Sequence, residues 1–203
     1  AVYSFDFHRG ALLALVDSLG LRQVTLVCQD WGGLLGLTLP VDRPDLIARL
    51  IIMNTTFGVG ATPPESFHRW LAHVRRSPDL NVGAIMQRNA PGLTDAEAAA
   101  YDAPFPDVTY KAGARTFPGL VPITRDAPGA ALSRQALRWW RAFDGDAFMA
   151  IGMQDPILGP HVMRPLHGLF PRCGGPLELP EAGHFVQEQG DVVARAALAW
   201  FAR

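Results

Sequence analysis

The sequence predicts an α/β fold in which a mostly parallel sheet is flanked by helices. Three short apolar runs, over residues 24–28, 49–53 and 147–152, lack the polar alternation of half-exposed strands, so they indicate strands buried on both faces. Segments with helical spacing separate these runs, and strands that alternate with helices form parallel sheets.

The other core elements follow in chain order. Ser4 and Gly20 are typical start and end residues for a first helix, and a second helix is predicted over residues 32–40. After the third strand, the spacing of apolar residues predicts a short strand and two more helices: residues 177–179, 162–169 and about 188–201, the last with Val192 and Val193 on its apolar side.

A long segment of different character lies between the second and third strands. Residues 57–140 contain no convincing buried strand, but they do contain helical patches and Pro-rich turns. We therefore expect a helical cap, residues 58–140, inserted into an α/β core formed by residues 1–57 and 141–203.

The composition excludes several classes of function. Hydrophobic residues make up 49% of the 203 residues and charged residues 18%, with a formal net charge of −1 and no basic run. An extended nucleic-acid surface is therefore not expected. No apolar stretch approaches the roughly 18–20 residues that span a bilayer, so we expect no membrane partner. Cys28 and Cys173 form no disulfide framework or Cys/His cluster, and no metal site is predicted.

The sharpest functional signal is the run CQDWGG at residues 28–33, which follows a predicted buried strand and opens a helix. Small residues around a central side chain at such a junction are typical of a nucleophile elbow, a strained strand-to-helix turn. The central residue is Asp30, whose carboxylate can attack carbon without a base to activate it. The alternative is that Asp30 only caps the helix.

Two more polar residues follow predicted strands. Asp155 comes after the strand at residues 147–152, and His184 comes after the strand at 177–179. Taken singly, each is typical of a turn or loop. Functional groups in parallel sheets gather beyond the carboxyl ends of the strands, and the order nucleophile, acid, histidine is that of the α/β-hydrolases. Together with Asp30 they predict a catalytic set.

The sequence resembles the haloalkane dehalogenases along essentially its whole length. The resemblance is carried by four segments: VCQDWGGLLGLTLP (27–40), AAYDAPFPDVTYKAGARTFPGLVP (99–122), FMAIGMQDPILGP (148–160) and EAGHFVQE (181–188). It implies that Asp30 is the nucleophile, Asp155 the acid that orients the histidine, and His184 the base. Trp31 would donate its indole N–H to the leaving halide.

The resemblance also implies the reaction and its partners. A small neutral haloalkane would be converted to an alcohol, a halide ion and a proton through an ester on Asp30, with no metal or organic cofactor. We expect Ile157, Leu158, Phe148 and Phe185 to line the substrate pocket, with Phe67 and Phe117 as further wall residues.

The chain departs from the family pattern in two places. Asn89 stands where the related subfamily has a second halide-binding Trp, and we expect its amide to donate to halide; Trp70, Trp139 and Trp140 are the other candidates. The family's N-terminal strands and its His-Gly-x-Pro oxyanion loop have no counterpart in these 203 residues. We therefore expect the segment alone to fold poorly and to be nearly inactive.

The compartment and the assembly are expectations of the same kind. We expect a bacterial protein of the cytoplasm or periplasm that is a monomer in its full-length form. Because the sequence starts at Ala1 rather than Met, a signal peptide stays open.

Three other functions are compatible with parts of this pattern. An epoxide hydrolase would use the same Asp nucleophile with two cap tyrosines, for which Tyr101 and Tyr110 are available, although Gln29 replaces the His usual before that Asp. A fluoroacetate-type dehalogenase would have Arg at the position of Trp31. A non-catalytic interaction protein would gain nothing from a complete catalytic set.

Overall fold

The computed structural model describes residues 3–203 and has a four-stranded parallel sheet at its centre. The strands lie side by side in chain order: β1 (Val24–Gln29), β2 (Ile47–Met53), β3 (Asp146–Gly152) and β4 (Leu177–Leu179). All three sequence-predicted apolar runs and the short fourth strand are present, which confirms the α/β class.

Within residues 3–203, nine α-helices surround the sheet: α1 (Phe5–Ser18), α2 (Trp31–Gly36), α3 (Glu65–Arg76), α4 (Val82–Asn89), α5 (Asp95–Asp102), α6 (Ala112–Thr116), α7 (Ala130–Arg141), α8 (Pro160–His167) and α9 (Gly190–Phe201). The Ser4 side chain accepts a hydrogen bond from Phe7 N and caps α1. Helix α2 ends earlier than predicted, because Pro40 cannot continue it and lies in a short 3₁₀ turn instead. None of these helices is long and apolar enough to cross a membrane.

Strand β3 is buried on both faces, as its continuous apolar sequence predicts. Met149 and Ile151 belong to one hydrophobic cluster, whereas Phe148 and Ala150 belong to a second cluster with residues of α9. In α9, Val193 is buried but Val192 is 42% exposed, so the buried side of this helix is narrower than the sequence predicts.

Helix α7 packs against the sheet, although it falls within the predicted cap. Trp140 is fully buried in the first cluster, and its Nε1 donates to the Leu37 carbonyl at 2.7 Å. Strand β1 lies at an edge of the sheet and Val27 is 56% exposed, so the prediction that this strand is buried on both faces is wrong.

Candidate active site

Asp30 occupies a strained turn between β1 and α2. Its backbone has φ 47° and ψ −119°, and among residues 3–203 only Gln23 is another non-glycine residue with positive φ. Such backbone strain costs about 1–3 kcal/mol and persists only where surrounding contacts impose it. The Asp30 carboxylate makes no capping hydrogen bond to α2, so the capping interpretation is wrong.

The turn is held by contacts from the segment that follows β2. Asp30 N donates to the Asn54 carbonyl at 3.0 Å, and Thr55 Oγ1 donates to the Asp30 carbonyl at 2.7 Å. Gly33 is the glycine that this packing requires, because a Cβ there would lie 2.1 Å from Thr55 Oγ1. A Cβ on Gly32 would lie 3.8 Å from the Cβ of Cys28, which is an ordinary van der Waals distance.

Asp155 lies just beyond β3 and is held by several donors. Its Oδ1 accepts from the backbone N–H groups of Ile157 at 2.8 Å and Leu158 at 3.0 Å. Its Oδ2 lies 2.7 Å from His184 Nδ1 and accepts from Asn54 Nδ2 at 3.0 Å. Burial opposes ionisation, but the hydrogen bond to His184, the charge of His184 and the two backbone donors outweigh it and lower the pKa of Asp155.

Asn54 is absent from the residues that the sequence predicts for the site, yet it connects two strand ends. It is fully buried, and its side chain bonds to both backbone groups of Gly152 as well as to Asp155. The signal that could have indicated it is its position, since Asn54 directly follows β2 in the same way that Asp30 directly follows β1.

His184 lies on the loop after β4. Backbone bonds from Met153 N to Leu179 O (3.1 Å) and from Gln154 N to Ala182 O (2.9 Å) hold this loop beside the Asp155 loop. The Nε2 atom of His184 lies 3.8 Å from Asp30 Oδ1. Burial lowers the pKa of His184, but the hydrogen bond to Asp155 and the charges of both carboxylates outweigh it, so the net pKa is raised.

Gln29 is the second residue that the sequence does not predict for this site. Its Nε2 lies 3.2 Å from His184 Nε2 and donates to the His184 carbonyl at 3.0 Å. With the Nδ1 proton of His184 directed at Asp155, the Gln29 amide donates to Nε2 as well. Gln29 therefore favours the neutral tautomer of His184, in which Nε2 carries no proton.

Asp30 differs from Asp155 in its electrostatic surroundings. Desolvation raises the pKa of Asp30, and the opposing charge of His184 and the hydrogen bond from the Trp31 amide do not cancel it. Its side chain is 35% exposed because it faces a cavity, whereas the Asp155 side chain is 1% exposed. A ligand in the cavity thus reaches Asp30 but not Asp155.

The cavity above Asp30 has a volume of about 740 Å³. Trp31, Asn89, Ile157, Leu158 and Phe185 line it, together with Phe67 and Phe117. The prediction for Phe148 is wrong. Its side chain projects from the middle of β3 into the second hydrophobic cluster, while the cavity lies beyond the strand ends.

The comparisons with known proteins point to one family. A family model described as the alpha/beta hydrolase fold matches residues 1–191. The haloalkane dehalogenase of Mycolicibacterium paratuberculosis is 39% identical over 98% of this chain and 67% of its own length. That of Psychrobacter cryohalolentis is 35% identical over 95% of this chain and 65% of its own length.

The solved structures agree. The tetrameric haloalkane dehalogenase DpaA from Paraglaciecola agarilytica NO2 superimposes with a TM-score of 0.94 at 42% identity, covering 98% of this chain and 67% of that one. This chain belongs to the haloalkane dehalogenases. It spans about two thirds of the length of the family members just named. The resemblance stated from the sequence is confirmed.

Tyr101 and Tyr110 are not placed as the two proton donors that an epoxide hydrolase would need. The Tyr101 hydroxyl bonds to Glu188, an interaction that helps raise the pKa of Tyr101 to about 12. Tyr110 is 60% exposed. Neither is among the residues that line the cavity, so neither is placed to protonate an epoxide oxygen over Asp30.

Asn89, the departure from the family pattern, faces the cavity from the end of α4. Its Nδ2 donates to the Ile85 carbonyl at 2.8 Å, which uses one of its two N–H bonds. Of the alternative donors, Trp70 lines the cavity, whereas Trp139 and Trp140 pack in the core. Within residues 3–203, no group of three or more His, Cys, Asp or Glu side chains is arranged to hold a metal ion.

Proposed function

We propose that this chain hydrolyses the carbon–halogen bond of small neutral haloalkanes, with Asp30 as nucleophile, Asp155 as the orienting acid and His184 as base. The observation that carries the proposal is the geometry around His184. Its Nδ1 lies 2.7 Å from buried Asp155, and its Nε2 lies 3.8 Å from the partly exposed carboxylate of Asp30. This is the arrangement that a two-step reaction through an ester needs.

In the first step, an Asp30 oxygen attacks the halogen-bearing carbon in line with the carbon–halogen bond. A carbon–oxygen ester bond forms, and the halide leaves with the bonding electron pair. Trp31 and Asn89 are the proposed halide donors, since both side chains carry N–H groups and line the cavity beside Asp30. The largely apolar walls lower the local dielectric constant, which strengthens these hydrogen bonds to the halide.

In the second step, His184 Nε2 removes a proton from a water molecule, which attacks the ester carbonyl. The Trp31 amide, which bonds to the Asp30 carboxylate, is the proposed donor to the resulting oxyanion. Collapse releases the alcohol and restores Asp30, and the proton on His184 passes to solvent. The balance is haloalkane plus water to alcohol, halide and proton. All the chemistry is supplied by carboxylate, imidazole and water.

The cap of residues 58–140 is proposed to select the substrate. Side chains from α3 and α4 close the cavity over the strand ends, and Asn89 O accepts from Phe185 N at 3.4 Å next to the base. The predicted monomeric state and compartment stay predictions; DpaA is described as tetrameric.

Trapping the ester tests the proposal in a protein that extends this chain to the length of its relatives, because we expect the 203 residues alone to be nearly inactive. His184→Ala retains the nucleophile and lacks the base, so incubation with 1-bromobutane should add the mass of one butyl group, located on Asp30 by peptide mass spectrometry. His68→Ala is the matched control because His68 is an exposed cap histidine outside the cavity lining. It should release bromide with turnover and accumulate no adduct.

A second variant makes the result decisive. Asp30→Ala in the His184→Ala background should abolish the adduct. An adduct on another residue, or bromide release that survives Asp30→Ala, would refute the assignment of the nucleophile. Styrene oxide hydrolysis without bromide release would move the function to epoxide hydrolysis, and neither reaction in the folded protein would favour a non-catalytic role.

A further inference from the structure

The cavity combines carboxylates at one end with basic side chains at the other. Asp30 and Asp155 lie at the strand ends, and Arg69, His73 and Arg88 also line the cavity. All three basic residues are exposed to solvent, whereas Asp155 is buried. The basic residues therefore mark the outer end of the cavity, which we call the basic mouth.

In the part of the chain that the structure describes, the side chains of the basic mouth have no acidic partner within ion-pair distance. Within residues 3–203, Arg69, His73 and Arg88 form neither an ion pair nor a side-chain hydrogen bond. The only carboxylates in the lining are the two at the strand ends. An approaching anion thus meets a positive potential at the mouth, and a cleft with low-dielectric walls strengthens such a potential.

Helix α3 fixes two of the mouth residues. Arg69 and His73 are four residues apart and share one face of the helix. The His73 ring stacks on Trp70 with 5.8 Å between centroids and 26° between planes. On the same helix, Ser66 Oγ donates to the Pro156 carbonyl at 2.6 Å, which holds α3 against the loop that carries the orienting acid.

Helix α4 carries Arg88, the third residue of the basic mouth. Arg88 lies in its last turn, next to Asn89, whose carbonyl accepts from Phe185 N. The contact is close, since a Cβ on Gly183 would lie 2.2 Å from Asn89 O. Both helices of the basic mouth are therefore anchored to the loops that carry the base and the orienting acid.

We propose that the substrates of this chain include ω-halocarboxylates, with the halogen-bearing carbon at Asp30 and the carboxylate at Arg69 and Arg88. This inference rests on the proposed function. Guanidinium groups bind carboxylates through two parallel hydrogen bonds. A carboxylate close to the halogen would be repelled by Asp30, so the two ends of the substrate must be separated by a methylene chain along the apolar wall.

The test compares two substrates of equal length. We would measure kcat/KM for 6-bromohexanoate and for 6-bromohexan-1-ol, which differ only in the group at the mouth. The acid-to-alcohol ratio should fall about two- to fivefold in each of Arg69→Gln and Arg88→Gln, the range of an exposed ion pair. It should also fall for the unchanged protein as ionic strength rises. Arg69→Lys, which keeps the charge but cannot form two parallel hydrogen bonds, should retain only part of the ratio.

Arg75→Gln is the matched control. Arg75 is exposed on the same helix but is not part of the cavity lining, so its removal should leave both kcat/KM values unchanged. An equal ratio in all variants, or an equal fall in Arg75→Gln, would overturn the inference.

Failure of the proposed function is separable from failure of this inference. If none of 1-bromobutane, 6-bromohexan-1-ol and 6-bromohexanoate is hydrolysed, the proposed function fails by itself. Calorimetric titration with hexanoate and hexan-1-ol then decides about the basic mouth. Hexanoate binding that weakens in both Arg→Gln variants supports a carboxylate site, and hexanoate binding no tighter than hexan-1-ol refutes it.

Discussion

Replacing Asn54 by Ala should destabilise the protein and slow ester hydrolysis more than ester formation. The substitution removes two bonds to Gly152 and one to the Asp155 carboxylate. Neutral hydrogen bonds contribute about 0.5–1.5 kcal/mol each and a bond to a charged group about 1.5–3 kcal/mol. Their sum predicts a loss of about 2.5–6 kcal/mol in the free energy of unfolding, measurable by urea titration.

The kinetic part follows from which groups Asn54 contacts. Its side chain supports Asp155, and through it the orientation of His184, but the bond to Asp30 comes from the Asn54 backbone and survives in Ala. Single-turnover bromide release should therefore change less than alcohol release. Asn81→Ala, which removes one exposed N-cap bond, serves as the control and should cost about 1 kcal/mol. A loss for Asn54→Ala no larger than this control, or equal slowing of both steps, would refute the reasoning.

Three other predictions follow from the site geometry. Gly33→Ala should destabilise by about 1–3 kcal/mol through overpacking, whereas Gly32→Ala should cost far less; equal denaturation midpoints would refute the packing argument. Because the charge of Asp30 helps raise the pKa of His184, Asp30→Asn should lower that pKa in an NMR titration of the imidazole; an unchanged pKa would count against the coupling. In the parent protein, ester hydrolysis should fall as pH falls through the pKa that His184 has in the ester, where Asp30 is neutral and no longer raises it. Gln29→Glu should stabilise the protonated ring and move this limb of the pH–rate profile to higher pH; a profile that stays in place would mean that Gln29 does not act on Nε2.

The sequence predicts the sheet well because apolar runs without polar alternation are easy to recognise. Three such runs identify three strands of the sheet, although β1, at the sheet edge, is not buried on both faces. Because there is no polar alternation, the sequence does not show which face of the sheet each side chain occupies. This is why Phe148 is predicted for the pocket but packs in the core. Ile157 lies beyond a strand end and lines the cavity, because its position does not depend on the face of the sheet.

The supporting residues are harder to find from sequence because their role depends on contacts across the fold. Asn54 bonds to Asp155, which is 101 positions later in the chain, and Gln29 contacts His184, which is 155 positions later. Amides at such positions are also common loop or strand-end residues, and nothing local distinguishes them. The role of the glycines can be predicted only in part from the sequence. It predicts a tight turn at Asp30, but only the structure assigns the close contact to Gly33 rather than Gly32.

Two carboxylates flank one imidazole, and their surroundings divide the work between them in the proposed reaction. Asp155 has two backbone donors, an amide and the imidazole, so its charge is stable, its pKa is lowered and its oxygens are occupied. Asp30 has fewer donors, and desolvation raises its pKa, so its negative charge is less stable than that of Asp155. Attack on carbon removes that charge by turning the carboxylate into a neutral ester. The group that gains most from losing its charge is thus the one that faces the substrate, and the group that must keep its charge to hold the base is the one buried behind it.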